Sequence, residues 1–349
     1  MVRPKCRRFA LAVAAKTSHN PYRTAVLISR RRLSMAGSAL IDLPLSQNRD
    51  KFKLLMNDET HSTQSSLNLV TLNCFGVPFV GNTQVRLTTI ARELDRTTLD
   101  VVCFQEVQLW HYVPLLAKKF STFPFKAFEP FVYAPKGGLL TLSRREIARS
   151  DFTLYPERGW WRSPSLADRL LHKGILATEL THDGQRVIIL NTHLTANYDG
   201  DWSPSNRYAR LEHAQLQHLA GVVNSIDRDV LVIVGGDFNL PRHSWLYEEF
   251  IAATGMIDPL DGHLKPTYFP IIKLPSRYHQ PIDHVFVRAP DGFKLTASVD
   301  ILFEEELPLT SGRLGRVSDH AGIQLKLHWT RPYATPFDLR LLETTEITA

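Results

Sequence analysis

The sequence predicts an α/β (α+β) fold, a four-layer sandwich in which two packed mixed β-sheets are flanked by helices. From Leu67 onward, short apolar runs of strand length alternate with longer segments of helical periodicity, and no internal repeat is visible. The chain has 349 residues and is 44% hydrophobic, which is enough to bury one large core or two modest ones. Strands and helices mixed on this scale favour two packed sheets covered by helices.

The first elements are a strand, a helix and a buried strand. Side chains alternate along the strand that starts near Leu67, and this strand ends at Asn73. The apolar positions of residues 84–95 have helical spacing. The buried-strand run Asp100–Phe104 follows this helix.

A turn at Gly184 between two strand-like runs predicts a β-hairpin. Ser203 and Pro204 predict the cap and the first position of a helix that runs through Val223. The strand-like runs in this half of the chain are Ile175–Leu180, Val187–Leu194, Val230–Val234, Ile282–Val287, Leu295–Leu302 and Ala321–Leu327.

Charge is divided unevenly along the chain. Residues 1–50 contain ten Lys or Arg and two acidic residues, whereas residues 51–349 contain 31 basic and 33 acidic residues. The net charge of +6 therefore comes entirely from the N-terminal segment. We expect a basic, disordered tail over residues 1–62, one folded domain over 63–332 and a C-terminal tail over 333–349.

The sequence leaves three interpretations of the N-terminal tail open. The tail is rich in arginine and has no acidic residue before Asp42, which is the charge bias of an organellar transit peptide. A disordered basic arm has the same bias. Translation could instead begin at Met35 or Met56, since the first strand begins only near Leu67.

Cysteine usage and hydropathy narrow the class of protein. Cys6, Cys74 and Cys103 have no paired spacing, so neither a disulfide framework nor a zinc knuckle is indicated. This favours a reducing intracellular compartment. Cys74 and Cys103 lie in apolar runs and are expected to be core residues. No apolar run approaches the roughly 20 residues that a transmembrane helix needs.

Polar residues recur where an apolar strand ends. Because the ends of separate strands can converge at one sheet edge, we expect these side chains to form one site. They are Asn73 and Glu106 after the first two strands, Asp237 and Asn239 after Val230–Gly236, and Asp319-His320 before the last strand.

The segment Gly235–Asn239 has two interpretations. Residues two apart on a strand share a face, so Asp237 and Asn239 could reach one phosphoryl group while Phe238 points into the core. The alternative is an Asx-type turn that only ends the strand.

His193 and Glu106 also allow a purely structural interpretation. His193 shares a strand face with Asn191 and Thr195, where a histidine is often hydrogen-bonded for structural reasons. Most strand-terminal glutamates such as Glu106 are simply solvated. A hard cation such as Mg²⁺, however, prefers one or two carboxylates and retains several waters, which favours Glu106 in this company.

Two Asp-His pairs, Asp283-His284 and Asp319-His320, adjoin apolar strands. Either pair could be a surface salt bridge. Together they supply what phosphoryl hydrolysis requires: a cation at the phosphoryl oxygens, hydrogen-bond donors for the developing charge, and a base for water.

Six motifs in this order resemble the endonuclease/exonuclease/phosphatase superfamily, over about residues 67–330. They are Leu72-Asn73-Cys74, Gln105-Glu106-Val107, Asn191-Thr192-His193-Leu194, Gly236-Asp237-Phe238-Asn239-Leu240, Ile282-Asp283-His284-Val285 and Ser318-Asp319-His320. The resemblance identifies residues 63–332 as a catalytic domain.

Further segments are similar to the neutral sphingomyelinases within that superfamily. The chain differs from the membrane-anchored members in having no hydrophobic C-terminal helices. The similar segments are Thr71–Pro78, Gly137–Ser143, His172-Lys173-Gly174 and Thr192–Tyr198.

The resemblance implies a metal site and a phosphate contact. Glu106 would hold a catalytic Mg²⁺, with Mn²⁺ as the alternative ion, and Asn73 and Asp319 would assist. Lys173 would add positive charge near the phosphate, although a single lysine in a hairpin is more often solvated.

The remaining site residues would carry out the hydrolysis. By the same resemblance, Asp237 would orient or activate the attacking water. Asn239 and His193 would donate to the phosphoryl oxygens as negative charge develops. His320, oriented by Asp283, would be the general base or a donor to the phosphate.

These roles describe a metal-dependent phosphoric diester hydrolase of lipid metabolism, with sphingomyelin as the expected phospholipid substrate. The alternative is a nuclease, or a phosphatase with a soluble substrate. A nuclease usually concentrates basic residues on its catalytic face, and residues 51–349 have no basic excess. A non-catalytic binding module fits less well, because every chemical position is present.

A peripheral membrane contact would accompany a lipid substrate. Aromatic residues between Phe120 and Tyr133, together with Trp160 and Trp161, could form an interfacial surface. Core packing is the competing interpretation, because most aromatic side chains in a domain of this size are buried.

Overall fold

The apolar runs and helical periodicities of the sequence form strands and helices in the computed structural model, which describes residues 65–78, 80–119 and 122–330. The strands are β1 (Ser65–Gly76), β2 (Val101–Val107), β3 (Phe125–Ala127), β4 (Leu140–Ser143), β5 (Ile147–Leu154), β6 (Gly174–His182), β7 (Gln185–His193), β8 (Leu231–Asp237), β9 (Asp283–Arg288), β10 (Lys294–Leu302), β11 (Leu307–Pro308), β12 (Leu314–Gly315) and β13 (Gly322–Thr330). The helices are α1 (Thr83–Asp95), α2 (Tyr112–Lys119), α3 (Leu166–Leu171), α4 (Arg207–Ser225) and α5 (Trp245–Thr254). Short 3₁₀ turns lie at Lys136–Gly138 and Ser276–Tyr278.

Two mixed β-sheets organise the fold. The six-stranded sheet has the order β10-β13-β1-β2-β4-β3, and the five-stranded sheet has the order β5-β6-β7-β8-β9. Each sheet contains one parallel pair, β1 with β2 and β7 with β8, and its other neighbouring strands are antiparallel. The two strands of a parallel pair end at the same edge of their sheet.

Alternate side chains of these strands point either into a core between the two sheets or into a core between a sheet and its helices. One face of each sheet contributes to a core between the sheets, which includes Leu69 from β1 and Ile233 from β8. The other face of the six-stranded sheet packs against α1 and α2, where Leu87 is fully buried. The other face of the five-stranded sheet packs against α4 and α5 through residues such as Leu219 and Leu246. The predicted four-layer sandwich is therefore confirmed.

The structure confirms the predicted hairpin, since β6 and β7 pair antiparallel around the turn at Gly184. It also places Cys74 and Cys103 fully in the core, as expected. The predicted tails, residues 1–62 and 333–349, lie outside the described residues, and so do Cys6 and Phe120. None of the helices in the described part of the chain combines the length and hydropathy of a transmembrane span.

The predicted start of the long helix is wrong. α4 begins at Arg207, and its cap is Asn206, whose side chain accepts hydrogen bonds from the backbone N–H groups of Tyr208 and Ala209. The hydroxyl of Ser203 instead donates to the carboxylate of Asp201. Ser203 therefore belongs to the turn before the helix and caps nothing.

Stability measurements can test whether Asn206 or Ser203 caps α4. Asn206→Ala should lower the free energy of unfolding by about 1 kcal/mol, because it leaves N–H groups at the start of α4 without their acceptor. Ser203→Ala should change it by less than about 0.5 kcal/mol, as expected for a surface substitution outside a cap. Urea denaturation of both variants measures the difference, and a larger loss in the Ser203 variant would contradict the assignment of the cap.

Candidate functional site

The ends of both parallel strand pairs contribute to one cleft of about 390 Å³. Asn73 and Asp283 lie behind its surface, hydrogen-bonded to residues that line it. The predicted site residues that line the cleft are Glu106, Lys173, His193, Asp237, Asn239, Asp319 and His320. Strand ends far apart in sequence thus bring all of the predicted site residues together.

Glu106 has an unusual backbone conformation that the two glycines beside it permit. Its φ angle is 59°, in the left-handed region that side chains other than glycine rarely adopt. A Cβ atom at Gly76 would lie 2.1 Å from the carbonyl oxygen of Glu106, and one at Gly138 would lie 3.1 Å from its Cα. Only glycines at these positions let the chain pack so closely around Glu106.

Gly236 plays a similar part beside Asp237. A Cβ atom at Gly236 would lie 1.9 Å from the carbonyl oxygen of Thr192 on β7. The glycine therefore allows β7 and β8 to stay paired up to their ends, where His193 lies opposite Asp237. This pairing places an imidazole beside a carboxylate.

The segment after β8 forms an Asx-type turn, and its two polar side chains still line the cleft. The backbone N–H of Asn239 donates to Asp237 Oδ1 over 3.0 Å, which is an Asx-type turn. The side chains of Asp237 and Asn239 nevertheless both line the cleft, while Phe238 is buried in the core. The turn therefore fixes the carboxylate without removing it from the site.

The carboxylate of Asp237 is the centre of the polar cluster. Asn73 Nδ2 donates to its Oδ2 over 3.0 Å, and the Nε2 atoms of His193 and His320 lie 3.2 Å and 3.7 Å from the same oxygen. Burial alone would raise the pKa of Asp237. The positive charge of His320, the contact with His193 and the charge of Lys173 instead hold its pKa well below the ordinary value.

His320 is oriented by Asp283, as the resemblance implies. Its Nδ1 atom lies 2.9 Å from Asp283 Oδ2, which leaves Nε2 on the side of Asp237. Burial lowers the pKa of His320, but the carboxylates of Asp283 and Asp237 more than offset this and raise it well above the ordinary value. Burial raises the pKa of Asp283, and the positive charge of His320 opposes that shift.

Two carboxylate oxygens in the cleft have no hydrogen-bond partner among the described residues. They are Glu106 Oε2 and Asp319 Oδ1, and both atoms are buried. The pKa of Asp319 is raised to about 7, chiefly by burial, while His320 opposes the shift and Glu106 adds to it. A buried pair of unsatisfied carboxylate oxygens is the kind of donor set that a hard cation takes, so these residues fit a divalent ion.

A second group of ligand atoms lies at and behind the surface of the cleft. Ligand atoms of Asp237, Asp283 and His320 all lie within 4.8 Å of one another. His320 Nδ1 already pairs with Asp283, however, and Asp237 Oδ2 accepts from Asn73. Glu106 Oε2 and Asp319 Oδ1, by contrast, have no hydrogen-bond partner among the described residues and are free to bind an ion.

Lys173 is buried, so the solvated interpretation of this residue is wrong. Its ammonium group lies 2.6 Å from Asp168 Oδ1 and 2.8 Å from His193 Nε2, and it donates to the carbonyl of Leu194 over 2.7 Å. The hydroxyl of Tyr198 donates to the other carboxylate oxygen of Asp168 over 2.8 Å. Asp168 is not among the predicted site residues, because nothing in its local sequence pattern distinguishes it from a surface helix residue.

Three residues near the motifs have structural positions instead. Asn191 accepts from Gln105 over 2.8 Å and so joins the two sheets beneath the cleft. Thr195 accepts from Gln215 on α4 over 2.9 Å. His284 is fully buried behind the site, where its Nε2 atom donates to the carbonyl of Leu240. Neither Asp-His pair is a surface salt bridge.

The predicted aromatic surface is divided between core and solvent. Phe123 is only 3% exposed and packs with the helices of the six-stranded sheet. Tyr133 is 38% exposed, and Trp160 and Trp161 are 39% and 65% exposed. Core packing therefore explains one of these residues and leaves the other three at the surface.

A family profile described as Endonuclease/Exonuclease/phosphatase family matches residues 70–320. The chain belongs to this family. It is therefore a hydrolase by family membership, and the resemblance inferred from the six motifs is confirmed. The matched residues include the whole candidate site, from Asn73 to His320.

One curated relative and two solved structures are also similar to this chain. A Drosophila melanogaster protein named "Putative neutral sphingomyelinase" is 28% identical over 274 residues, which are 75% of this chain and 60% of that protein. TDP2 of D. rerio, solved with a single-strand DNA product, has a TM-score of 0.58 at 20% identity over 75% of this chain and 99% of its own. A beta toxin variant of Staphylococcus aureus with bound magnesium ions has a TM-score of 0.57 at 16% identity over 77% and 100%. The two structures share the fold of this chain.

The buried His284 should make the stability of the fold depend on pH. Burial and the positive charge of Arg242 lower the pKa of His284 to about 3, whereas an unfolded histidine titrates near 6.5. The unfolded state therefore binds more protons between these values, and stability is lost as the pH falls below 6.5. This residue should contribute a loss of about 2 kcal/mol between pH 7 and pH 5.

Urea denaturation of the His284→Gln variant at both pH values tests this expectation. Glutamine retains a donor and an acceptor but does not titrate, so the difference between pH 7 and pH 5 should become smaller. His328→Gln on the exposed side of β13 is the matched control and should leave the difference unchanged. An equal pH dependence in wild type and His284→Gln would contradict the assignment.

Proposed function

We propose that this chain is a Mg²⁺-dependent phosphodiester hydrolase that acts on a phospholipid headgroup, with sphingomyelin as the first substrate to test. The observation that supports this most directly is the arrangement of one cleft. It combines a buried, hydrogen-bonded carboxylate at Asp237 with unsatisfied carboxylate oxygens at Glu106 and Asp319. Such a cleft suits a divalent ion and an activated water beside a phosphodiester.

Glu106 and Asp319 would hold the ion, and Asn73 would assist from behind the cleft. The bound magnesium of the structurally similar beta toxin supports Mg²⁺ as the ion, and Mn²⁺ is the alternative. When bound, the cation would draw electron density from the phosphoryl group and stabilise charge that develops there.

Asp237 would orient the attacking water. Its lowered pKa keeps it a carboxylate at neutral pH, and bonds from Asn73 and the backbone of Asn239 fix the direction of its oxygens. A carboxylate of low basicity is better suited to holding water in line than to removing its proton completely.

The donors to the phosphate would come from three side chains. Asn239 uses one amide hydrogen on the carbonyl of Leu194 and has a second available for a phosphoryl oxygen. His193, at the end of β7, lines the same cleft as Asn239. The raised pKa of His320 favours the donor role over that of the general base, since a protonated Nε2 can give its hydrogen to the departing oxygen.

The charges around the cleft favour a small headgroup over a long polyanion. The acids that line it are Glu106, Asp168, Asp237 and Asp319, and the only lysine among its lining residues, Lys173, is neutralised by Asp168. DNA-binding sites instead concentrate unpaired Lys and Arg along the backbone path. The name of the Drosophila relative supports the lipid substrate for that protein, and we extend it to this chain.

A nuclease remains the second candidate function. The DNA product bound to the structurally similar TDP2 supports it, because the same fold there accommodates a nucleic acid. The two candidates share the metal site and the water-orienting carboxylate and differ in substrate.

The substrate is tested by assaying sphingomyelin in mixed micelles beside plasmid DNA, each with Mg²⁺ and with EDTA. We expect phosphocholine release that is lost with EDTA and reduced at least about 100-fold in His320→Ala, as is typical for loss of a catalytic proton donor. His328→Ala, an exposed histidine on β13, is the matched control and should retain wild-type turnover. Nicked plasmid without phosphocholine would establish the nuclease instead.

The metal site is tested separately with Glu106→Gln, which keeps the shape of the side chain and removes its charge. The Mg²⁺ concentration for half-maximal turnover should rise at least about tenfold, because a charged ligand is lost. Glu249→Gln, a half-exposed glutamate on α5, should leave it unchanged. An unaltered Mg²⁺ dependence in Glu106→Gln would exclude Glu106 as a metal ligand.

A further inference from the structure

One wall of the cleft is formed by a loop between α5 and β9 that is unusual in its charge. From Gly262 to Ile282 the sequence contains no aspartate or glutamate, although residues 51–349 as a whole contain more acids than bases. The same stretch carries three exposed cations, Lys265, Lys273 and Arg277. We refer to residues 264–277 as the rim loop.

The rim loop also exposes large apolar side chains. Ile271 and Ile272 are adjacent in sequence and are 65% and 64% exposed, and Leu264 is 63% exposed. Two neighbouring β-branched side chains in water bury little on folding, so the folded monomer gains little from them. Apolar residues interleaved with cations on one loop point to a partner that is apolar within and anionic at its surface.

The base of the rim loop is attached to the catalytic residues. Thr267 accepts hydrogen bonds from the backbone N–H groups of Ile282 and Asp283, and the N–H of Phe269 donates to the carbonyl of Asp319 over 2.6 Å. Tyr268 forms an isolated β-bridge with His320. A contact made by the tip of the loop would therefore lie at a fixed position relative to the site.

The loop also borders the substrate space. Tyr268 and Leu274 line the cleft, and so does Tyr278, which follows the loop. Ile271 and Ile272 lie between these lining residues in the sequence and are exposed. The side chains that would meet a surface and those that would meet a headgroup thus belong to one short segment.

We propose that the rim loop docks the protein on a lipid bilayer that contains anionic lipids. Ile271 and Ile272 insert between headgroups, and Lys265, Lys273 and Arg277 contact lipid phosphates and carboxylates. This inference rests on the proposed phospholipid substrate, because docking would bring the mouth of the cleft to the headgroups. The rim loop thereby supplies a surface contact that differs from the predicted aromatic one at Trp160 and Trp161.

A lipid surface fits the loop better than a nucleic acid does. Cations alone would suit a phosphate backbone, but single strands are held by aromatic stacking and duplexes by polar contacts in the grooves. A pair of exposed isoleucines contributes to neither, whereas it gains free energy from transfer into a bilayer interface.

The test measures binding without turnover. Sedimentation with phosphatidylcholine vesicles, with and without phosphatidylserine, is compared for wild type and the double variant Ile271→Ser with Ile272→Ser. The double variant should bind at least about tenfold more weakly to both vesicles. Lys273→Glu should weaken binding to the phosphatidylserine vesicles only. Ile257→Ser is the matched control, since Ile257 is 61% exposed and does not line the cleft, and its binding should equal that of wild type.

Each result decides for or against the rim loop. Equal binding by wild type and the double isoleucine variant would overturn the proposal, and so would absence of wild-type binding. Loss of binding in Trp161→Ser but not in the double variant would place the contact on the aromatic surface. A Lys273→Glu variant that loses plasmid DNA binding and keeps vesicle binding would indicate a nucleic-acid contact.

Measurements of turnover distinguish the proposed docking surface from the proposed substrate. The ratio of sphingomyelin hydrolysis in vesicles to hydrolysis of soluble bis(4-nitrophenyl) phosphate should fall at least about tenfold in the double variant. Vesicle binding that depends on Ile271 and Ile272 without any sphingomyelin hydrolysis would contradict the substrate and retain the docking surface. Hydrolysis with an unchanged ratio would contradict the docking surface and retain the substrate.

Discussion

The buried carboxylate of Asp237 is the group on which the rest of the site depends. A charge without partners in this position would cost several kcal/mol, and the surrounding donors offset that cost. One donor, Asn73, comes from the six-stranded sheet, and another, the backbone of Asn239, follows the last residue of β8 in the five-stranded sheet. The charge is therefore fully stabilised only when the two sheets are packed together, so formation of the site and packing of the fold are coupled.

A second polar contact lies beneath the cleft and supports this coupling. Gln105 donates both to Thr71 on β1 and to Asn191 on β7, and Asn191 donates in turn to the carbonyl of Phe104. Polar groups within an apolar interface are costly unless they are paired, so this arrangement permits one register of the sheets and penalises others. Glu106 directly follows Gln105, and His193 lies two residues after Asn191. The polar contact between the sheets therefore also fixes the positions of Glu106 and His193 relative to each other.

Much of the fold and of the site could be predicted because both depend on local pattern. Strand ends are visible in a sequence as the point where an apolar run stops, and this rule alone identified Asn73, Glu106 and Asp237. The long helix was recognised by periodicity, but its start was misplaced because Ser203 and Asn206 are both good caps. The helix α5 was missed, although Ser244 caps it and Gly255 ends it in the left-handed conformation.

The features that could not be predicted depend on contacts between distant parts of the chain. Lys173 is buried because α3 places Asp168 beside it, and no spacing in the sequence distinguishes that pair from two solvated charges. Both Asp-His pairs suggested imidazoles at the site, yet Asp283 pairs with His320 while His284 turns into the core. Asp283 and His284 are adjacent on β9 and point to opposite faces, so only Asp283 reaches the site, whereas Asp319 and His320 precede β13 and both line the cleft.

The distribution of charge shows why an average over the domain is a poor guide to substrate. Acids and bases nearly balance over residues 51–349, which by itself indicates neither a lipid nor a nucleic acid. Locally, four carboxylates and one lysine line the cleft, whereas the rim loop carries cations and exposed isoleucines. This lining would suit the proposed metal ion and a single phosphodiester, because further phosphates would meet carboxylates instead of cations. For the proposed phosphodiester substrate, selection would then depend on the residues of the rim loop, which are apolar as well as basic.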